Sequence, residues 1–239
     1  AGTGMEYMKE YLYETHMHTA EASKCATGTA AEMVRAYADL GYSGIIVTDH
    51  FFNSNTAIPR HLPWKERVEL FCRGYENALE EGSRTGIHVF FGWEYAFYGT
   101  EFLTYGLDKE FVLGHPDMLD WSVEKYINTV HDHGGFVVHA HPYREAFYIP
   151  RIRLYPDLVD GVEVINGGHL NPLFDERARE YADKYNLLHL SGSDAHHTDF
   201  IAGCGIAFEQ EIRAISDFIE AIKGRTGYRL LPGLYRSEL

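Results

Sequence analysis

Cysteine is scarce in this chain: Cys25, Cys72 and Cys204 are the three, an odd number with no C-x-x-C pair. That argues against a disulfide framework and for a reducing compartment, the cytoplasm. No two of them share ligand-like spacing, so thiolate zinc ligation is not expected and all three read as packing residues. Long apolar runs are missing as well. Nothing approaches the roughly 18 residues of a membrane span, and no signal peptide is expected ahead of the first strand. Basic clusters are absent too. With 21 Lys and Arg against 35 Asp and Glu, the net charge is −14, a surface that repels a phosphate backbone. Bulk nucleic acid is therefore not an expected partner, whereas a small anionic substrate is, because bound divalent cations reverse the local field. No repeat, low-complexity stretch or linker breaks the pattern, so the 239 residues, 45% hydrophobic, are expected to form a single domain over residues 1–239. Residues 1–4, ahead of Met5, read as a leftover of cloning.

What the chain does have is histidine and acid at strand ends. Five segments carry metal-ligating residue types: His16-Met17-His18, Thr48-Asp49-His50, Gly92-Trp93-Glu94, His139-Ala140-His141-Pro142 and Ser193-Asp194-Ala195-His196. Residues i and i+2 of a strand point the same way, so an H-x-H or D-x-H pair aims both side chains at one place. One such pair is weak evidence, since histidine often sits in an ordinary core. Several of them with a strand-borne Glu point to a metal site.

The pattern between these segments is one of strand-helix units. Strands are expected at residues 11–15, 45–47, 88–91, 101–107, 136–138, 161–165, 187–190 and 206–208. Helices are expected at 29–41, opened by the capping box Thr29-Ala30-Ala31-Glu32, and at 64–84, 122–133, 171–186 and 211–225. Short apolar strands alternating with helices predict an α/β fold, a parallel sheet closed into a barrel with its active face at the strand C-termini. Residues 51–63 read as an active-site loop.

In chain order, H-x-H-T, T-D-H, G-x-E, H-P-x-R, G-V-E-V-x-N and G-S-D-A-H resemble the PHP (polymerase and histidinol phosphatase) family, over nearly the whole chain from Tyr11 to about Phe208. The resemblance implies a distorted seven-stranded (β/α) barrel, TIM-barrel-like, holding two or three divalent ions (Mn, Fe or Zn) that hydrolyse phosphoesters through a metal-bridging hydroxide. It implies His16, His18 and Asp194 on one ion, Glu94 bridging to a second held with His141, and His50 and His196 on a third. Arg144 matches a phosphate-contacting arginine, and its planar fork suits that task. Asn166, at a strand end, is placed to orient substrate, though a turn before Gly167-Gly168 would also account for it. Glu94, Asp194 and His196 are the expected catalytic groups, with His196 or a neighbouring acid protonating the leaving oxygen.

Two positions depart from the family pattern. Lys24 stands where an acid normally completes the third-metal site; an ammonium cannot ligate while protonated, so Lys24 is expected to hold a substrate phosphate in place of that ion. Glu101 stands where a histidine is usual, with His115 as the other candidate; His115 sits in a loop before a helix, which favours Glu101. Of the remaining histidines, His139 is expected to support the ligands and His131 and His133 to favour a helix end. His61, His88, His169 and His189 read as structural, and His197 as facing substrate or solvent.

The expected function is thus hydrolysis of small phosphoesters, sugar or nucleotide phosphates, as phosphomonoesters or cyclic diesters. A histidinol-phosphate phosphatase, an amidohydrolase-like C–N hydrolase and an inactive metal-binding scaffold are the alternatives. The C–N reading is weakened because no lysine stands on a predicted middle strand.

Overall fold

The computed structural model describes residues 8–234, so the expectation for residues 1–4 lies outside it. Nine strands form one sheet: β1 (Tyr11–Met17), β2 (Gly44–Val47), β3 (His88–Phe97), β4 (Thr100–Tyr105), β5 (Phe136–Ala140), β6 (Gly161–Asn166), β7 (Leu188–Gly192), β8 (Cys204–Phe208) and β9 (Tyr228–Pro232). Helices α1 (Ala30–Asp39), α2 (Trp64–Thr85), α3 (Lys109–Leu113), α4 (Val123–Asp132), α5 (Pro172–Lys184) and α6 (Ile215–Gly224) connect them. The order is β7-β6-β5-β4-β3-β2-β1-β8-β9, and a bridge from Ala195 back to Met17 brings the end of β7 beside β1. The sheet is nearly closed. It has nine strands where seven were expected, the added hairpin partner β9 being a segment in which no strand was anticipated.

Nor is the sheet wholly parallel. β3 runs to Phe97, turns at Tyr98 and Gly99, and returns antiparallel as β4, which then pairs antiparallel with β5. Tyr98 (φ 48°) and Gly99 (φ 85°) are both left-handed, as a two-residue turn between twisted strands requires. This hairpin replaces a helical crossover and lengthens β3 past Glu94.

Side chains from β1–β5, β7 and β8 meet in an inner cluster, including Tyr13, Ile46, Phe90, Tyr105 and Val138, which Phe218 and Ile222 of α6 join. An outer layer packs α2–α5 against the other face through Phe71, Trp93, Tyr126, Val162 and Tyr181. Thr29 caps α1 with the expected reciprocal capping box, its hydroxyl accepting from Glu32 N. Among the described residues no helix is long and apolar enough to cross a membrane.

Two β-bulges decide which residues face inward. Glu14 pairs with Ile45 but Met17 with Val47, three steps on β1 against two on β2. The extra residue changes the parity of the strand. Tyr13 therefore lies in the inner cluster, whereas Met17 packs outside with Met33 and Val34 of α1. A second shift, between Glu163 and Ile165, does the same on β6, so Val164 and Ile165 both pack outward.

At the end of α4, His131 Nε2 lies 2.7 Å from Asp160 Oδ2. This hydrogen bond raises the histidine above its ordinary 6.5, although partial burial lowers it. A group raised on folding stabilises fully below its unfolded pKa, and that stabilisation is lost as pH rises through the folded value. His131→Gln should therefore cost up to about 1 kcal/mol near pH 5.5, because the pair is partly screened, and almost nothing at pH 8.5. Urea unfolding at the two pH values checks this.

Candidate metal centre

The inner ends of β1, β3, β5 and β7 and the loops that follow carry a dense set of buried ligand atoms. Glu94 lies at its centre, 1% exposed. Its Oε2 is 2.8 Å from His16 Nε2 and 3.4 Å from His141 Nε2; its Oε1 is 2.9 Å from His50 Nδ1 and 3.6 Å from His18 Nε2. Asp194 Oδ1 is 3.3 Å from both His16 Nε2 and His18 Nε2, and Glu101 Oε2 is 3.2 Å from His141 Nε2. Three overlapping groups have ligand atoms all within 4.8 Å of one another: His16, His18 and Asp194; His50, Glu94 and Glu101; and His18, His50 and His196.

These atoms crowd together without hydrogen-bonding. His16 Nε2, His18 Nε2 and both Glu94 oxygens are buried with no hydrogen-bond partner. Buried polar atoms are ordinarily paired, so a convergent set that is not paired fits a cation. Imidazole and carboxylate donors are the set that suits Mn, Fe or Zn. Electrostatics agree: burial pushes His16 down, but Asp194, Glu163 and Glu94 together hold it well above its ordinary value. The carboxylates thus draw positive charge to this spot.

The support behind the ligands is equally built. His16 Nδ1 is 2.6 Å from Glu163 Oε2, and Glu163 Oε1 also accepts from His141 N and Asn166 Nδ2. His18 Nδ1 is 2.9 Å from Ser23 Oγ, which donates to Asp49; Asp49 also accepts from Thr19 N and Oγ1. Asp49 is thus held one step behind the ligands, and burial pushes it up to about 6 despite these donors. α2 packs so closely here that a Cβ on Gly74 would lie 2.3 Å from Thr19 Oγ1. His141 (φ 29°) and Asp194 (φ 54°) both take left-handed backbone, strain tolerated where side chains must be aimed.

Arg144 closes one side. Its Nη2 donates to Asp194 Oδ2 at 2.8 Å and Asn166 Oδ1 at 3.0 Å, its Nε to His169 Nε2 at 3.1 Å, and its Nη1 to Tyr148 OH at 3.3 Å. The site opens into a cleft of about 580 Å³, lined also by Asn53, Ser54 and Asn55 of the loop after β2 and by the fully exposed Phe147. Cys25 lines it as well; burial pushes the thiol up, but the nearby His196 and His50 rings bring it down to about 6.

The structure brings together His16, His18, His50, Glu94, Glu101, His141, Asp194 and His196, with Arg144 and Asn166 beside them. Lys24 does not join them: it is exposed and lines a neighbouring hollow with Ala57 and Arg60. His115 lies away from the cluster, against Phe111 and His133. His139 does not support the ligands. Because His141 leaves the strand conformation, the two do not share a direction, and His139 packs on Phe102 and Tyr181. Three contributors escaped the sequence reading. Glu163 stood in the quoted G-V-E-V-x-N motif, His169 was read as structural although it braces Arg144, and Cys25 was read as packing although it lines the cleft. Only Cys72 and Cys204 are buried.

Glu163→Gln replaces the anionic partner of His16 without changing its size. Metal affinity should fall about 10–100-fold. Calorimetric titration of zinc into chelator-treated protein measures this, and unchanged affinity would deny Glu163 an orienting role.

The PHP-associated family (PHP_C) matches residues 172–226, from α5 through the Asp194 segment to α6. A comparison with the curated proteins finds no match. Among solved structures, a two-domain protein from Bacteroides vulgatus, described as containing a predicted PHP-like metal-dependent phosphoesterase, is similar at 16% identity and TM-score 0.68. The alignment covers 94% of this chain and 65% of that one, so the chain spans less than two thirds of that protein. An amidohydrolase from Chromobacterium violaceum is similar at 15% identity, TM-score 0.54, covering 95% and 99% of the two chains. The lesion-specific endonuclease PfuEndoQ from Pyrococcus furiosus is similar at 13% identity, TM-score 0.58, covering 93% and 58%. At these identities the likeness is one of fold. The chain thus carries a PHP_C-like segment at residues 172–226 within a fold that it shares with these structures.

Proposed function

We propose that this chain is a metal-dependent hydrolase of small phosphoesters, sugar or nucleotide phosphates, taken as monoesters or cyclic diesters. The observation that carries the reading is the set of buried, unpaired ligand atoms around Glu94, with the Arg144 guanidinium at its edge. His16, His18, Asp194 and Glu94 would hold one divalent ion, and Glu94, Glu101 and His141 a second. When bound, such ions supply positive charge for phosphoryl oxygens and acidify water.

The chain's own residues do the rest. Arg144 is pinned by Asp194, Asn166 and His169, so its fork is set before substrate arrives, and a planar fork matches two phosphate oxygens. Asn166 fixes that fork through its Oδ1. Glu163 and Ser23 hold the His16 and His18 rings in one orientation. The 580 Å³ cleft lies within the usual range of small-molecule sites, and its fully exposed Phe147 offers an apolar face to the rest of the substrate. The −14 charge favours a small substrate over a polyanion.

Exhaustive chelation should abolish phosphoester hydrolysis, and manganese or zinc should restore it. Asp194→Asn, which removes a charged ligand, should lower kcat on the order of 100-fold or more. The panel should contain phosphomonoesters, cyclic diesters, dipeptides and a single-stranded oligonucleotide. Turnover surviving chelation would refute the metal reading; preference for the dipeptides or the oligonucleotide would refute the substrate class.

Arg144→Ala should raise KM for a phosphorylated substrate about 10–100-fold with a smaller fall in kcat, since phosphate binding is shared by ground and transition states. Steady-state kinetics separate the two constants.

A further inference from the structure

Behind the ligands lies a buried acid that the chemistry above does not use. Glu14, on β1 two residues ahead of His16, is completely buried. Its Oε1 accepts from Thr15 N at 3.0 Å, His16 N at 3.0 Å and Ser193 N at 2.8 Å. Its Oε2 accepts from Tyr37 OH of α1 at 2.8 Å, and Tyr37 is completely buried as well. Thr15 and His16 lie in the bulge, where the register of β1 against β2 shifts. A bulge interrupts the ladder, and the carboxylate receives both N–H groups there.

The third backbone donor belongs to the other ligand-bearing segment. Ser193 directly precedes Asp194, whose backbone is left-handed at φ 54°. The two segments meet closely. A Cβ on Gly192 would lie 2.7 Å from His16 Cβ, Ala195 N donates to His16 O at 3.3 Å, and His18 N donates to Ala195 O at 2.9 Å. No regular ladder joins β7 to β1, so single contacts set how they stand to one another. We propose that Glu14 is a positioning residue for the ion held by His16, His18 and Asp194, one carboxylate fixing the backbone of the two histidines against the backbone of the acid. Glu163 and Ser23 limit how the rings turn; Glu14 sets where the rings start from. Hydrogen bonds to an ionised acceptor are shorter and stronger than those to a neutral one, and here one oxygen serves three donors. Tyr37 holds the other oxygen, so α1 keeps the clamp from swinging. Small displacements of ligands weaken a metal site, whereas Arg144 and the cleft do not depend on this clamp.

This inference rests on the metal-site reading above, and the experiment keeps the two apart. Chelator-treated full-length protein is titrated with cobalt(II), whose visible absorption bands report the arrangement of its ligands, and urea unfolding is followed in parallel. Glu14→Gln keeps the size of the side chain and an oxygen for the N–H groups. It should weaken cobalt binding about 10–100-fold and shift the visible bands. At saturating cobalt, kcat for a phosphomonoester should fall while KM stays unchanged. Tyr37→Phe frees only the second oxygen and should move affinity and bands the same way by less; it decides the matter if Glu14→Gln fails to fold. Trp64→Phe removes a hydrogen bond of 2.8 Å to Val112 O on the outer layer, and should lower stability with the bands unmoved. Unchanged affinity and bands in folded Glu14→Gln would overturn the role of Glu14, as would an equal shift in Trp64→Phe. No cobalt bound by the unmutated protein would overturn the metal site itself.

Discussion

A carboxylate taken out of water costs several kcal/mol unless a cation or a set of donors offsets the loss. Glu94 is buried with neither oxygen hydrogen-bonded, and four imidazoles stand within 3.6 Å of it. Burial alone would push it up, yet His16 and His50 hold it well below the usual carboxylate range. Its environment is thus arranged for the charged form. The rest of the site follows from that need. Each histidine around Glu94 has a second contact, to Glu163, Ser23, Ser54 or Glu101, which limits how its ring can turn.

The architecture supplies the positions. A strand that ended at its active face, as in a regular barrel, would carry Glu94 and stop. Here β3 continues and folds back as β4, pairing Glu94 with Leu103 and Ala96 with Glu101. Glu101 thereby reaches the same side of the sheet as Glu94 from the next strand. Ser54, from the loop after β2, donates to Glu101 Oε1 at 2.8 Å and lies 3.0 Å from His50 Nδ1, so the irregular loop is tied to the hairpin through the ligands themselves.

The strand-end segments were legible because ligand types recur at a spacing that apolar strands make unusual, and the order of the motifs carried the family resemblance. The helices were legible from caps and periodicity, Thr29 most plainly. What resisted reading was backbone geometry. The β3–β4 turn has no Asn-Gly or Asp-Gly signal, so the hairpin looked like two strands of a parallel sheet. The i, i+2 rule holds for His16 and His18 but breaks at His141, where positive φ turns the chain, and His139 was misdirected for that reason. Lys24 and Cys25 are adjacent in sequence, and only the path of the loop tells which of them meets the cleft. Glu163 was invisible as a partner because its acceptor role depends on a ring arriving from β1.

The bulge between Glu14 and Met17 gives the first strand an unusual dependence on chain length. It makes the strand a counting device: one residue more than β2 separates the Tyr13 end from the histidine end. Pairing the two strands regularly with the residue count unchanged would remove the irregularity. It would also exchange inside for outside along the last turn of the strand, presenting Met17 to the acids and burying both imidazoles beneath α1. The reading frame of side chains, and not merely their identity, is therefore a heritable property of this segment.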